Sequence, residues 1–234
     1  MTAPRTSQDL SASVEDYLKA IYELEVARGA AATNDIAEAL GIAAASVSGM
    51  LRRLARQRLV SHEPYRGVHL TRDGRRAALR TIRRHRVIES YLTTALGYPW
   101  DRVHDEAERL EHASSDELVD RMAAAIGEPE TDPHGAPIPT RQGRLESGPA
   151  LIPLSELPEE STAQVARVGD RDAERLRYLA TLGITIGADV RVTARGPFDG
   201  PITFVVGGAR RTIGRELASG ILLERREGRS TRRR

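Results

Sequence analysis

Two histidines and four acids lie close together between residues 104 and 112, where the chain reads His-Asp-Glu-Ala-Glu-Arg-Leu-Glu-His. An α-helix advances about 100° per residue, so a helix here would gather four of these side chains into one stripe. That stripe would contain His104, Glu108, Glu111 and His112. Imidazole and carboxylate groups that share one face are suited to binding a divalent metal ion. The alternative is a solvated acidic face, and the second histidine favours the metal site.

A similar pair lies upstream, where His85 and Glu89 have the i,i+4 spacing of neighbours on a helix. A surface ion pair is the alternative for this pair taken alone. The chain contains no cysteine, which excludes disulfides, thiolate zinc sites and thiol chemistry. Any metal ion must therefore be bound through nitrogen and oxygen.

The charge of the 234-residue chain is distributed unevenly, although its formal net charge is only +2. Residues 48–86 contain twelve arginines and two acids, whereas residues 101–132 contain eleven acids and three arginines. The first segment suits a polyanion and the second suits cations. The sequence has no long apolar run, and its N-terminus lacks a signal-peptide pattern, so we expect a cytoplasmic protein.

Apolar periodicity and a glycine stop predict three short helices near the N-terminus, at residues 14–24, 33–40 and 44–57. Residues 59–74 follow, and their pattern predicts a two-stranded wing with its turn at Arg66-Gly67. This order of elements is typical of a winged helix-turn-helix, which binds DNA by placing its second helix in the major groove.

The predicted reading helix supplies the candidate DNA contacts. Residues near its N-terminus would face base edges, and arginines on its flank would contact phosphates. The alternative is that the arginines only solubilise a small domain, which the uneven charge disfavours. The candidates for bases are Ser46, Ser48 and Gly49, those for phosphates are Arg52, Arg53, Arg56 and Arg66, and Thr33 is a further candidate DNA contact.

The middle of the chain is predicted to be helical. One long helix covers about residues 72–96, the helix of the metal-binding stripe continues to about Ala113, and another covers residues 116–126. These helices carry more apolar surface than a winged helix can cover, and DNA readers of this type use two half-sites. We therefore expect a homodimer.

Residues 127–158 contain seven of the twelve prolines and predict an extended linker that packs in part on the helices. His134 is interpreted there as a turn residue. Beyond the linker, helices are predicted at about residues 171–182 and 215–218. The predicted strands are 162–168, 189–194, 202–206, 210–213 and 221–224.

The order of these motifs resembles the diphtheria-toxin-repressor family of metal-dependent transcriptional regulators. The resemblance runs from about residue 10 to the C-terminus. It is carried by the winged helix, by Arg-Arg-His85-Arg-x-x-Glu89, and by Val-His104-Asp-Glu-Ala-x-x-x-Glu111-His112 followed by Ser-Asp. It implies a mainly α fold with β structure: an N-terminal winged helix-turn-helix, a helical dimerisation domain and a C-terminal SH3-like small β-barrel.

The resemblance also implies domain limits. They are 1–75 for the DNA-binding domain, 76–127 for the helical metal-binding and dimerisation domain, 128–158 for the linker, 159–226 for the SH3-like (FeoA-like) domain and 227–234 for a basic tail.

A primary metal site is implied between the first helix and the ligand helix, and its members would be Asp16, Glu108, Glu111 and His112. For Asp16, capping in the first helical turn is the alternative. Some members of the family have a carboxylate in place of a methionine on the first helix and in place of a cysteine on the ligand helix, and these members are manganese regulators. This chain has Asp16 and Glu108 at those two positions, so it resembles the manganese regulators. A second first-helix carboxylate of some manganese regulators falls at Lys19, which argues against a binuclear site that uses it.

An ancillary metal site is implied beside the primary one. His85 would either complete the primary site or join Glu89 and His104 in the ancillary site. In some members the C-terminal domain donates a Glu and a Gln to this site, and this chain does not reproduce that pair. Asp170 or Asp172 could substitute, and structural capping is the alternative role for both.

The predicted function is a repressor of manganese homeostasis, not an enzyme, that binds palindromic operators in double-stranded DNA as a metal-activated homodimer. Carboxylate and imidazole donors without sulfur suit Mn²⁺ first and Fe²⁺ second, with Co²⁺ or Zn²⁺ as substitutes in vitro. The alternatives are an iron-dependent repressor of the same family, a metal-independent ligand-sensing repressor and a metal-dependent hydrolase. No separate nucleophile or base motif supports the hydrolase.

Overall fold

The computed structural model describes residues 10–63, 67–146, 148–169 and 172–225. These residues form two compact units, each described by itself. The first unit contains the described residues up to His85 together with 109–119 and 138–146, and the second contains 86–108, 120–137 and those that follow Ser147.

The first unit contains the predicted winged helix-turn-helix. Its elements are α1 (Ala12–Arg28), α2 (Thr33–Leu40), α3 (Ala44–Arg56), β1 (Val60–Glu63) and β2 (Gly67–Leu70). The two strands pair antiparallel, which confirms the wing. Helix α2 ends at Gly41, whose φ of 64° lies in the left-handed region and gives the tight turn into α3. The wing turn predicted at Arg66 lies outside the described residues.

One apolar core joins α1, α2, α3 and the wing. Leu18, Ile21, Ile36 and Leu54 are fully buried in it. The helix α4 (Arg72–Leu96) begins against this core at Gly74, where a Cβ atom would lie only 1.9 Å from the carbonyl oxygen of Leu59. Glycine at this position therefore allows the start of α4 to lie close to the backbone of Leu59, just before β1.

The ligand helix is shorter than predicted. Helix α5 spans Val103–Leu110 and α6 spans Asp116–Ala125. The backbone N–H groups of Ala113 and Ser114 and the hydroxyl of Ser114 all donate to the carbonyl oxygen of Leu110, at 2.9–3.1 Å. This tight turn ends the helix, so the predicted extension to Ala113 is wrong, and Glu111 and His112 lie after α5 rather than on its stripe.

No helix within the described ranges is both long enough and apolar enough to cross a lipid bilayer.

The C-terminal part of the second unit contains the elements β3 (Leu151–Pro153), β4 (Thr162–Val168), α7 (Ala173–Leu182), β5 (Asp189–Arg195), β6 (Ile202–Val206), β7 (Ala209–Ile213), α8 (Arg215–Ser219) and β8 (Ile221–Glu224). The strands form a six-stranded antiparallel sheet with the order β3-β8-β4-β5-β6-β7. Strand β6 and the first residues of β4 and β5 alternate buried and more exposed positions, and the buried side chains form a core in which Phe204 is fully buried. The five predicted strands are confirmed, and β3 is an addition to them.

The Pro/Gly-rich segment 128–158 is more ordered than an extended linker. It contains β3, and Asp132, His134, Leu154 and Leu157 are buried. Gly135 has a φ of 86°, and a Cβ atom there would lie 1.8 Å from the carbonyl oxygen of Ala166 in β4. The turn around Gly135 is therefore pressed closely against the sheet of the second unit.

Candidate metal centres and DNA-reading helix

Three side chains of types that bind metal ions meet in the first unit, one from α1 and two from the turn after α5. Nε2 of His112 lies 2.7 Å from Oδ1 of Asp16 and 3.5 Å from Oε1 of Glu111. One ligand atom from each residue lies within 4.8 Å of the other two. The Glu111 side chain is fully buried, whereas 39% of the Asp16 side chain is exposed. We call these three residues the Asp16 cluster, and its donors converge at a place that solvent can reach.

Two carboxylates hold the imidazole of His112 in its protonated form. Nε2 faces Asp16, and Nδ1 lies 2.7 Å from Oε2 of Glu15. Hydrogen bonds to Asp16 and then to Glu15 raise the pKa of His112 to about 10, against the opposing effect of burial. A metal ion at Nε2 would take the place of that proton, while Glu15 would still accept from the Nδ1–H group. Glu15 is buried and also pairs with Arg84.

The third member of the cluster, Glu111, is contacted by two more side chains. Nδ1 of His85 lies 2.6 Å from Oε2 of Glu111. The ammonium nitrogen of Lys19 lies 3.1 Å from Oε2 and 3.2 Å from Oε1. All three residues are buried. The structure thus brings His85 to the Asp16 cluster through Glu111, and its role as a metal ligand stays a prediction.

The other predicted ligands, Glu89, His104 and Glu108, belong to the second unit. Nδ1 of His104 lies 3.4 Å from Oε1 of Glu89, and Nε2 lies 3.8 Å from Oε1 of Glu108. Glu89 and His104, predicted together in the ancillary site, are therefore neighbours. Glu108, which we predicted in the primary site, lies beside His104 and in a different unit from the Asp16 cluster.

A further group of candidate ligands, of which only Glu89 was predicted from the sequence, lies inside the second unit. It consists of Glu89, Asp132 and His134, which we call the His134 cluster. All three residues are buried, and one ligand atom from each lies within 4.8 Å of the others. Oδ1 of Asp132 accepts the backbone N–H groups of His134 and Ala136, both at 2.9 Å. The turn therefore fixes the carboxylate and leaves Oδ2 as its remaining oxygen.

Hydrogen bonding places a proton on Nε2 of His134. Nε2 lies 2.7 Å from the carbonyl oxygen of Trp100, and a carbonyl can only accept, so Nε2 donates. The other ring nitrogen, Nδ1, is buried, lies 3.9 Å from Oε1 of Glu89 and has no hydrogen-bond partner among the described residues. A buried carboxylate that faces this nitrogen marks a position where a cation would be stabilised.

The electrostatics of Asp132 support the same conclusion. Burial and then the charge of Glu89 raise its pKa to about 6, although Arg86, with Nε 3.4 Å from Oδ2, acts in the opposite direction. The His134 cluster thus concentrates negative charge away from water. In the sequence, the spacing Asp132-x-His134 is a weak local signal, and nothing local points to Glu89 as a partner.

The reading helix α3 presents the predicted DNA contacts on one face. Val47, Leu51 and Leu54 are buried on the opposite face. Ser48 is half-buried, and its hydroxyl donates to the carbonyl oxygen of Ala44 at 3.1 Å. The exposed candidates are Ser46, Gly49, Arg52, Arg53 and Arg56, while Thr33 is half-buried at the start of α2. Arg66 lies outside the described residues, so its predicted phosphate contact stays a prediction.

The weaker metal candidates lie near the start of α7. Oδ1 of Asp172 accepts the backbone N–H groups of Glu174 and Arg175, both at 3.0 Å, which is helix capping. Asp172 belongs to none of the candidate metal groups found within the described ranges. Asp170 lies outside the described residues.

Three family models match successive parts of the chain. Residues 9–68 match the N-terminal DNA-binding domain of iron-dependent repressors, 71–140 their metal-binding and dimerisation domain, and 152–225 the FeoA domain. The diphtheria toxin repressor of Corynebacterium glutamicum is 31% identical over 230 residues, which cover 94% of this chain and 100% of that protein. The chain belongs to the diphtheria toxin repressor family.

Other members of the family match over a similar length. The iron-dependent repressor IdeR of Mycobacterium tuberculosis H37Rv is 31% identical, with 93% of this chain and 99% of that protein covered. A solved structure of a manganese-dependent transcriptional repressor in complex with manganese is 41% identical and has a TM-score of 0.82. The match covers 90% of this chain and 99% of that chain.

Membership of the family confirms the class of function predicted from the sequence. The chain is a metal-dependent, DNA-binding transcriptional repressor and not an enzyme. The hydrolase and the metal-independent repressor are therefore excluded. The family also confirms the three-part fold, with a winged helix, a helical metal-binding and dimerisation region and a C-terminal FeoA (SH3-like) domain.

Proposed function

We propose that Mn²⁺ is the ion that activates this repressor and that its function is control of manganese homeostasis. The observation that carries this choice is the donor set of the Asp16 cluster, two carboxylates and one imidazole without sulfur. Such donors suit Mn²⁺ and Fe²⁺, whereas thiolate or thioether donors favour softer ions. The manganese-dependent repressor that is 41% identical supports manganese, and relatives named as iron-dependent make Fe²⁺ the second candidate.

In this proposal Asp16, Glu111 and His112 hold the activating ion. A bound ion would supply the positive charge that makes the close approach of these donors favourable. Asp16 is on α1, whose Leu18 shares one apolar core with Ile36 of α2. An ion that joins Asp16 to Glu111 and His112 would therefore fix the position of the winged helix-turn-helix relative to the turn after α5.

A second ion would be held by the His134 cluster, with His104 beside Glu89. The fit rests on the buried Nδ1 atom of His134, which has no hydrogen-bond partner among the described residues, and on the nearby carboxylates of Glu89 and Asp132. Because the three residues are buried, they would hold an ion that exchanges slowly and acts on the stability of the second unit.

DNA binding is assigned to the exposed face of α3, with Ser46 and Gly49 toward the bases and the arginines toward phosphates. We propose that two copies of the chain bind the two halves of a palindromic operator. The end of α4 offers an apolar surface for this pairing, because Leu96 is 57% and Tyr98 is 40% exposed. A repressor of this kind acts in the cytoplasm.

The test begins with a DNA ligand selected from a random-sequence pool by the Mn²⁺-loaded protein. Fluorescence anisotropy then measures the affinity for this DNA after chelation and after addition of Mn²⁺. We expect tighter binding with Mn²⁺ and a palindromic consensus, and equal affinities would contradict the proposal. Sedimentation should show a dimer, and Leu96→Glu should weaken it.

A metal series separates manganese from iron. The same anisotropy titration is run anaerobically with Mn²⁺, Fe²⁺, Co²⁺ and Zn²⁺ at buffered free concentrations. A manganese regulator should switch with Mn²⁺ in this series. If only Fe²⁺ activates the protein, the iron-dependent alternative is correct.

A further inference from the structure

Lys19 is the only lysine in the chain, and it lies inside the candidate metal centre. Its ammonium nitrogen is 3.1 and 3.2 Å from the two oxygens of Glu111 and 3.2 Å from Nδ1 of His85. Lysine is seldom buried unless it is paired, and only 8% of Lys19 is exposed. A cation that belongs to the protein therefore already lies on a carboxylate that the metal ion would use.

We propose that Lys19 is a tethered cation that competes with the divalent ion for Glu111, and that it sets the metal concentration at which the repressor switches. The inference rests on the proposed function of the Asp16 cluster as the activating site. It makes Lys19 a residue that tunes affinity without being a ligand.

Competition follows from the way the two oxygens of Glu111 are used. Nδ1 of His85 lies 2.6 Å from Oε2, within hydrogen-bonding distance. The ammonium reaches both oxygens, including Oε1, which also lies 3.5 Å from Nε2 of His112. An ion held by the Asp16 cluster would share Oε1 with the ammonium. Positive charges that share one buried carboxylate repel strongly, because solvent screens them little there.

The same contact has a role when no metal is bound. Glu111 is fully buried, and a buried carboxylate without a counter-charge would destabilise the fold. Lys19 supplies that counter-charge and keeps Glu111 in place. Its removal should therefore weaken the metal-free protein and strengthen metal binding, two effects of opposite sign that a purely structural lysine would not produce.

Three variants isolate the charge of Lys19. Lys19→Met keeps an unbranched side chain and removes the ammonium, whereas Lys19→Arg keeps a positive charge. Arg28→Met is the matched control, because Arg28 is on the same helix but pairs with Asp35 at the surface. Free Mn²⁺ is measured from the electron paramagnetic resonance signal of the aqueous ion at increasing protein concentration.

We expect Lys19→Met to lower the dissociation constant for Mn²⁺ by about tenfold or more, because a single charge contact, even when it is partly screened, can change a binding constant by about this factor. Lys19→Arg and Arg28→Met should stay within about threefold of the wild type. The Mn²⁺ concentration at which DNA binding switches should fall in parallel for Lys19→Met. Mn²⁺ should also raise the melting temperature of Lys19→Met more than that of the wild type.

The NMR signal of the Lys19 side chain shows whether the Mn²⁺ ion binds near Lys19. Lysine labelled with ¹³C gives a single side-chain spectrum, because the chain has one lysine. Mn²⁺ bound at the Asp16 cluster is paramagnetic and should broaden this signal at low occupancy in the wild-type protein. An unbroadened signal at saturating Mn²⁺ would place the ion elsewhere and overturn the inference.

The outcomes distinguish the inference from the proposed function. Unchanged or weaker Mn²⁺ binding by Lys19→Met, with circular dichroism unchanged, overturns the inference and leaves the proposed function in place. Absence of Mn²⁺ binding by the wild type and by all variants overturns both. Tighter binding by Lys19→Met alone, with a lower switching concentration, supports the inference.

Discussion

The Asp16 cluster and the His134 cluster have similar donor types and opposite surroundings. In the Asp16 cluster, charged neighbours engage the ligands: Glu15 contacts His112, and Lys19 contacts Glu111. The His134 cluster is fully buried, and Nδ1 of its imidazole has no hydrogen-bond partner among the described residues, although Arg86 lies beside Asp132. One set of donors thus includes a side chain that solvent can reach, and the other set is enclosed.

This difference indicates a division of roles between the clusters. Asp16 is partly exposed, so an ion there can exchange with solvent and report its concentration. In the proposed site an ion would have to replace the His112 proton and compete with Lys19 for Glu111, which would make the response adjustable. An ion in the His134 cluster would instead be enclosed, and its main effect would be on the stability of the second unit.

The largest effect is expected from Glu111→Gln. The amide removes the negative charge of the buried ligand. The affinity of the Asp16 cluster for Mn²⁺ should fall by about a hundredfold or more, because losing a ligand lowers metal affinity more than losing a residue that only hydrogen-bonds to a ligand. Electron paramagnetic resonance of free Mn²⁺ measures the loss. Asp105→Asn, an exposed change on α5, is the control and should bind Mn²⁺ like the wild type. If Glu111→Gln kept wild-type affinity, Glu111 would not be a ligand.

The second prediction concerns Asp132→Asn, which removes a charge from the His134 cluster and keeps Oδ1 as an acceptor. Because the pKa of Asp132 is raised to about 6 in the fold, the carboxylate destabilises the metal-free protein above that pH. The variant should have a free energy of unfolding about 1–3 kcal/mol higher at pH 7.5 in chelator. Urea unfolding followed by the fluorescence of Trp100, the only tryptophan, measures the difference.

The pH dependence of that difference has a defined sign. The destabilising effect is complete above pH 6 and is lost as the pH falls from about 6 to the ordinary aspartate pKa of 3.8, because only the folded protein takes up a proton in that range. The two unfolding free energies should therefore converge as the pH approaches 3.8. Mn²⁺-dependent DNA binding of Asp132→Asn should persist, unlike that of Glu111→Gln. A variant less stable than the wild type at every pH, or one without the metal switch, would break the division between the clusters.

The smallest effect is expected from Glu15→Gln. The amide oxygen can still accept from Nδ1–H of His112, but it no longer supplies negative charge to the ring. We expect the Mn²⁺ affinity to fall by about tenfold, the lower end for loss of a group that orients a ligand. Isothermal titration calorimetry checks this, with Glu38→Gln on the exposed side of α2 as the control. Affinity equal to that of the wild type would show that Asp16 alone governs His112.

Much of the fold could be predicted because its signals are local. Apolar spacing and glycine stops predicted α2 to α4 closely and the middle of α1, which is longer at both ends than predicted, and alternation predicted the strands of the C-terminal domain. The end of α5 was not predicted, because hydrogen bonds from Ser114 and Ala113 to Leu110 override the helical pattern of the sequence. Strand β3 has only three residues, and it exists because β8 pairs with it.

The sites divide in the same way. The residue types of the Asp16 cluster follow from motif spacing and the family resemblance. The burial of His134 and its approach to Glu89 depend on a turn that Gly135 presses against β4, which no local pattern encodes. The contact of Lys19 with Glu111 likewise joins residues far apart in the chain. The family resemblance therefore indicated only that position 19 lacks the carboxylate that some manganese regulators have there.

The most direct test of the central claim is the affinity of the wild type and of Asp16→Asn for the selected palindromic DNA, each with chelator and with saturating Mn²⁺. For the wild type, Mn²⁺ should tighten DNA binding by about 5- to 150-fold, the usual range of coupling between two sites. Asp16→Asn should bind DNA equally weakly under both conditions, although its His134 cluster is intact. Equal affinities for the wild type with and without Mn²⁺, or a full switch in Asp16→Asn, would contradict the account.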